Sequence, residues 1–239
     1  MKRYIVYVGG IFFMLATCTY LGYEAFRIYR LAGAGADMSL STIKFERVNK
    51  GKNDILILGD SLAFGVGAST PEVSFAGKIA QKHSGLAVSN QAKIGETIVS
   101  LKNTIDSKLT ARYDKIYIIV GGNDIMRIHF NIFNSAGSLD YIISKASQHA
   151  DKVVLITTGR FDNVSLSPWI LKDVYNARAS IIRQSGLKLE DTYANYDYID
   201  FYSTYIGRKE YKKLEAVDGY HLNDLGVDKL VSTVLESTP

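Results

Sequence analysis

The chain has 239 residues, enough to bury a sizeable core in one large domain or two small ones. Apolar residues make up 47% and charged residues 22%, a balance that excludes a disordered chain. The net charge of +4 comes from scattered Lys and Arg rather than a basic stripe, so no nucleic-acid partner is expected, and the single Cys18 excludes an intramolecular disulfide and a cysteine-built zinc site.

The first predicted element is an apolar helix. Residues 4 to 23 carry no formal charge, and twenty residues at 1.5 Å each give roughly 30 Å, the thickness of a bilayer's hydrocarbon core. Tyr4 and Tyr7 at one end and Tyr20 and Tyr23 at the other fit interfacial anchors. The expectation is an uncleaved membrane anchor over residues 1–26. A cleaved secretory signal and a lipobox around Leu15-Ala16-Thr17-Cys18 are the alternatives. Lys2 and Arg3 on one side and Arg27 and Arg30 on the other nearly cancel as orientation signals. The domain is expected to face outward. Residues 27–52 read as a connector, most flexible at Gly33-Ala34-Gly35-Ala36, and the globular domain as 53–239.

Within that domain, strand and helix signals alternate. Ile55-Leu56-Ile57-Leu58 has no polar alternation and reads as a strand buried on both faces, ending in Gly59-Asp60-Ser61. A helix from Pro71 to Ser84, a short strand at 86–90, and a helix capped by Thr97 and carrying Ile98, Leu101, Ile105 and Leu109 follow. The strand 115–120 runs into Gly121-Gly122-Asn123-Asp124. A helix near 139–150, a strand at 152–157, a helix from Ser167-Pro168 to about Gly186, a weaker strand at 198–201 and a closing helix at 224–235 complete the series. Such alternation implies a parallel sheet with helices on both faces, whose ligands gather at the carboxyl ends of the strands.

Four polar groups fall at that edge or before the closing helix: Ser61, Gly95, Asn123 and the Asp218-Gly219-Tyr220-His221 stretch. A serine hydroxyl needs a base to become a nucleophile, histidine is the suitable base near neutral pH, and a carboxylate fixes its tautomer. The N–H groups of Ser61 and Gly95 and the side-chain amide of Asn123 are candidate donors to an oxyanion. Taken singly, each has an ordinary reading as a helix cap or a turn residue.

Gly59-Asp60-Ser61-Leu62, Gly95, Gly121-Gly122-Asn123-Asp124 and Asp218-x-x-His221 resemble, in order, the four blocks of the SGNH (GDSL-type) hydrolases over about residues 53–236. Ala63 and Leu222 depart from frequent Thr and Pro, without removing a functional group. The resemblance implies a flavodoxin-like three-layer αβα sandwich with a five-stranded parallel sheet of order 2-1-3-4-5. It also implies Ser61 as nucleophile, His221 as base, Asp218 as its orienter, and Ser61, Gly95 and Asn123 as the oxyanion hole, with neither metal nor organic cofactor. The expected substrate is a small-molecule or glycan ester, foremost an O-acetyl group on cell-envelope carbohydrate. The alternatives are a lipid hydrolase of lysophospholipase or thioesterase type, with an acyl pocket among Met126, Ile128, Phe130, Ile132 and Phe133, or a non-catalytic glycan-binding module. Arg160 lies at the rim where it can meet an anionic group. The sequence leaves the oligomeric state open.

Overall fold

Three uninterrupted apolar runs form the centre of the sheet because each can be covered on both faces. A computed structural model describes residues 2–49, 54–203 and 207–238, with side chains from Tyr7 onward. The elements are α1 (Lys2–Ser41), β1 (Ile55–Gly59), α2 (Ser61–Phe64), α3 (Phe75–Lys82), β2 (Val88–Asn90), α4 (Ile98–Lys108) and β3 (Tyr113–Ile119), then α5 (Gly122–Met126), α6 (Ile132–His149), β4 (Ala150–Ile156), α7 (Lys172–Lys188), β5 (Tyr196–Ile199), α8 (Arg208–Leu214) and α9 (Asp224–Ser237). The five strands are all parallel in the order β2-β1-β3-β4-β5, with Ile57 opposite Tyr117 and Tyr117 opposite Val154.

Side-chain alternation sorts the core into two layers. Leu56, Leu58, Ile116, Ile118, Val153 and Leu155 point to one face, where Leu101 of α4, Ile142 of α6 and Ile182 of α7 cover them. Ile55, Ile57, Tyr117, Ile119, Val154 and Ile156 point to the other, beneath Ile79 of α3 and Leu230 and Val234 of α9. The strand order and the alternation of β and α elements agree with the sequence expectation.

Boundaries differ where polar residues hide a helix. α6 begins at Ile132, seven residues before the apolar periodicity suggests, because the Asn131 side chain accepts from the N–H groups of Phe133 and Asn134. The 71–84 segment divides into a 3₁₀ turn at Pro71–Val73 and α3, which Ser74 caps by accepting from Gly77 N. The charged helix α8 has no apolar stripe by which the sequence reveals it.

The N-terminal element needs correction. It is helical, but among the described residues no helix is long and apolar enough to cross a membrane. The described side chains begin at Tyr7 and the first charge arrives at Glu24; between them Gly9, Gly10, Thr17, Thr19 and Gly22 dilute the apolar content. The expected transmembrane span over 4–23 is therefore not supported. The helix also continues through the presumed connector to Ser41, Gly33–Ala36 included. Residues 50–53, where the sequence places the junction of connector and domain, lie outside the described residues. Before them Arg47 forms an antiparallel bridge with Val88, and its guanidinium donates to the carbonyls of Ala80, His83 and Leu86.

Candidate active site

The site is built where β1 stops. Gly59 has φ +133°, and a Cβ there would lie 1.8 Å from the Ile119 carbonyl oxygen of β3, so only glycine fits the sharp exit. Asp60 then caps the single-turn helix α2 by accepting from Leu62 N, which sets Ser61 as the first helical residue at the sheet's carboxyl edge. On the far side of the chain, Asn223 caps α9 by accepting from Gly226 N and fixes the end of the 218–223 loop.

These two caps bring together residues 160 positions apart. His221 Nε2 lies 2.7 Å from Ser61 Oγ, and His221 Nδ1 lies 2.5 Å from Asp218 Oδ2. The other oxygen of Asp218 accepts from the N–H groups of Tyr220 and His221, both at 3.0 Å, so the loop holds its own carboxylate in place. Burial disfavours the charge on Asp218, but the bonds and the charge of His221 and the two N–H donors outweigh it and hold the carboxyl below the usual range. A hydroxyl bonded to an imidazole that is bonded in turn to an ionised carboxylate can pass its proton to the ring as the oxygen attacks.

Gly95 lies on the loop after β2, and Asn123 lies in the first turn of α5, which follows β3 directly. Gly95 has φ +77°, a conformation that favours glycine. Asn123 Nδ2 donates to the carbonyl of Glu96 at 3.0 Å, which ties α5 to the loop after β2. A primary amide carries two N–H donors, and among the described residues only one of them has a partner. The residue after it completes the tie: the Asp124 carboxylate accepts from Ile98 N at 3.0 and 3.2 Å, at the start of α4. Arg178 of α7 grips the same short helix by donating to the carbonyls of Asp124 and Ile125. The Gly-Gly-Asn-Asp motif names Asp124, but nothing in the sequence reveals that it joins α5 to α4.

A cavity of about 180 Å³ opens beside Ser61 and His221, walled chiefly by Ile119, Ile156, Phe201, Leu214 and Leu230 among the described residues. Asp60 also faces it, and burial pushes this carboxyl up to about 7, with Asp124 and Glu96 acting in the same direction. Arg160 stands at the rim as expected, but its Nε donates to Asp162 at 2.5 Å and its guanidinium lies over the Tyr202 ring. The acyl pocket expected among Met126, Ile128, Phe130, Ile132 and Phe133 is absent from this wall: Ile132 is in the core, and Ile128 and Phe133 are exposed.

Residues 57–229 match the GDSL-like Lipase/Acylhydrolase family. The chain belongs to that family. It is thus an ester-hydrolysing enzyme, and the non-catalytic alternative is set aside. No curated protein sequence matches it. Among solved structures it is similar to a GDSL lipolytic protein from Veillonella parvula (TM-score 0.61, 19% identity, 77% of this chain and 97% of that one). It is also similar to an acetylxylan esterase from Geobacillus stearothermophilus (TM-score 0.56, 18% identity, 80% and 95%) and to a lipase/acylhydrolase from Enterococcus faecalis (TM-score 0.58, 20% identity, 77% and 94%). At these identities the likeness concerns the fold.

Proposed function

We propose that this family member is a serine esterase that removes O-acetyl groups from cell-envelope carbohydrate, using Ser61, His221 and Asp218. The observation that carries the mechanism is the position of the His221 ring, within hydrogen-bond reach of the Ser61 hydroxyl and the Asp218 carboxylate at once. As the Ser61 oxygen bonds to the ester carbonyl carbon, its proton passes to His221 Nε2, and Asp218 steadies the imidazolium through Nδ1. The N–H groups of Ser61 and Gly95 and the unengaged amide hydrogen of Asn123 receive the carbonyl oxygen as it becomes an oxyanion. Collapse of the intermediate breaks the bond to the alcohol, which leaves with the proton from His221. Water then gives a proton to the same ring, attacks the acyl-serine, and releases the carboxylic acid with the hydroxyl of Ser61 restored.

The acetyl reading draws support from the acetylxylan esterase that shares the fold, and with it we propose that the domain faces outside the cytoplasm. A second reading has its own support. The apolar wall of Ile119, Ile156, Phe201 and Leu230 beside Ser61 suits a longer acyl chain, as in a lipid or thioester substrate. Initial rates on p-nitrophenyl acetate and p-nitrophenyl octanoate, beside release of acetate from O-acetylated glycan, separate the two. The acetyl reading expects rapid turnover of the acetate and the glycan and little of the octanoate. A reversed preference transfers the assignment to acyl chains. Ser61→Ala is expected to lower turnover by about 10³-fold or more and to abolish labelling by a fluorophosphonate while leaving the melting temperature nearly unchanged. A variant that still turns over at the wild-type rate removes Ser61 from the chemistry.

A further inference from the structure

A glycine inside a helix weakens it relative to alanine, so Gly35, six residues before the end of α1, calls for a physical reason. One is found at the site. A Cβ built on Gly35 would lie 3.0 Å from Asp218 Oδ2 and 3.5 Å from Asp218 Cβ, so the helix backbone rests directly on this side chain. Oδ2 is the same oxygen that bonds His221 Nδ1, whereas Oδ1 is taken by the N–H groups of Tyr220 and His221. Both oxygens are thus engaged, α1 closes the remaining approach to Oδ2, and Asp218 is only 2% exposed.

The contact belongs to a docked face rather than a chance touch. Half-buried positions recur at Arg27, Leu31, Gly35 and Met38 on α1 and at Thr42 just beyond it, the spacing of one helix face, whereas residues 7–23 are exposed throughout. Arg27 Nη1 donates to the carbonyl of Ser165. The next residue, Leu166, donates its N–H to the carbonyl of Gly219 at 2.8 Å, and Ser165 Oγ donates to Glu215 at 2.6 Å. The Asp218–Gly219 turn is therefore held by α1 at two places, directly through Gly35 and indirectly through Ser165–Leu166.

We propose that the second half of α1 is a positioning element of the active site, with Gly35 as the residue that lets the helix seal Asp218 against water and fix it toward His221. The proposal rests on the assignment of Ser61, His221 and Asp218 given above. It goes beyond it in making a segment outside the family-matched residues 57–229 part of the catalytic apparatus. With Asp218 screened by entering water and displaced from the ring, less of its charge reaches the imidazolium in the transition state, while the surface that binds the ester is unaltered. The loss then falls on kcat and leaves KM in place.

The test compares full-length wild type, Gly35→Ala, Gly35→Leu and Gly33→Leu on p-nitrophenyl acetate, each assayed below its own melting temperature. A Cβ at Gly33 meets nothing within 4 Å and the position is exposed, so Gly33→Leu is the control on the same helix. The expected result is a graded fall in kcat, several-fold for Gly35→Ala and more than about tenfold for Gly35→Leu, with KM unchanged and Gly33→Leu like wild type. Gly35→Ala adds one methyl to a better helix former, so it stays informative if the leucine variant does not fold. A wild-type kcat in both Gly35 variants overturns the inference, as does an equal fall in Gly33→Leu. Turnover in wild type that persists in Ser61→Ala instead overturns the site assignment itself, and this inference with it.

Discussion

Asp60 is a residue of the site whose chemistry departs far from its ordinary behaviour. Folded, it keeps its proton up to about pH 7 because burial disfavours the charge, whereas an unfolded aspartate releases it near 4. Between those values the folded chain holds the extra proton, so the contribution of Asp60 is greatest in acid, declines as pH rises, and is level above about 7. Asp60→Asn keeps an oxygen for Leu62 N and cannot ionise. Its melting temperature is expected to exceed that of wild type at pH 8, with a margin that shrinks toward pH 4. Melting curves across this range check the prediction, and a constant margin would refute it. Asp218 acts in the opposite sense: its lowered value gives stability that is present at neutral pH and lost on acidification. At this scale the sequence shows residue types and spacing. It reveals Ser61, His221 and Asp218 as a set because their chemistry is complementary. The buried neutrality of Asp60 and the approach of Gly35 to Asp218 are invisible to it, since both depend on what lies across the fold.

At the scale of elements, the loop that carries Gly95 and the short helix that carries Asn123 are held by each other. Asn123 reaches the carbonyl of Glu96, and Asp124 holds the N–H that opens α4. Asp124→Ala leaves that buried donor without its carboxylate and loosens both. A stability loss of about 1–3 kcal/mol is expected from denaturant unfolding, together with a fall in kcat. Retention of both would assign Asp124 no part in the coupling. Elements buried on both faces, β1, β3 and β4, were readable because an unbroken apolar run has few other uses. The early start of α6 and the extension of α1 were not. Gly33-Ala34-Gly35-Ala36 reads locally as a connector that tertiary contact turns into helix, and the start of α6 depends on the Asn131 cap rather than on apolar spacing.

The whole molecule is a five-stranded sheet with one helical layer on each face, and beyond the contact of α1 with Asp218 the N-terminal segment is fastened to it a second time, at the edge strand β2. Arg47 provides that fastening: it bridges the edge strand β2 and donates to three carbonyls at the end of α3 and just beyond it. Arg47→Ala is expected to cost about 2 kcal/mol by urea unfolding, as loss of charge-assisted bonds to part-buried carbonyls does. An exposed pair such as Lys213–Glu210 is expected to contribute little in the same assay. Equal effects of the two would show that the fastening is not structural. The sequence indicates the alternating architecture at this scale, but it places residues 4–23 in a membrane because their lack of formal charge stands out more than the glycines and threonines that dilute their apolar content.

The 160 residues that separate Ser61 from His221 also impose an order on biosynthesis. Ser61 is made early, yet β1 gains its first partner only when β2 emerges and its second only with β3, more than fifty residues later. The histidine arrives later still, just ahead of α9, which packs on a sheet face already formed. On the proposed assignment, a ribosome-bound chain therefore exposes the serine long before its base is made. Hydrolytic competence would come as one of the last events of folding, and fragments truncated before the 218–223 loop would be inert.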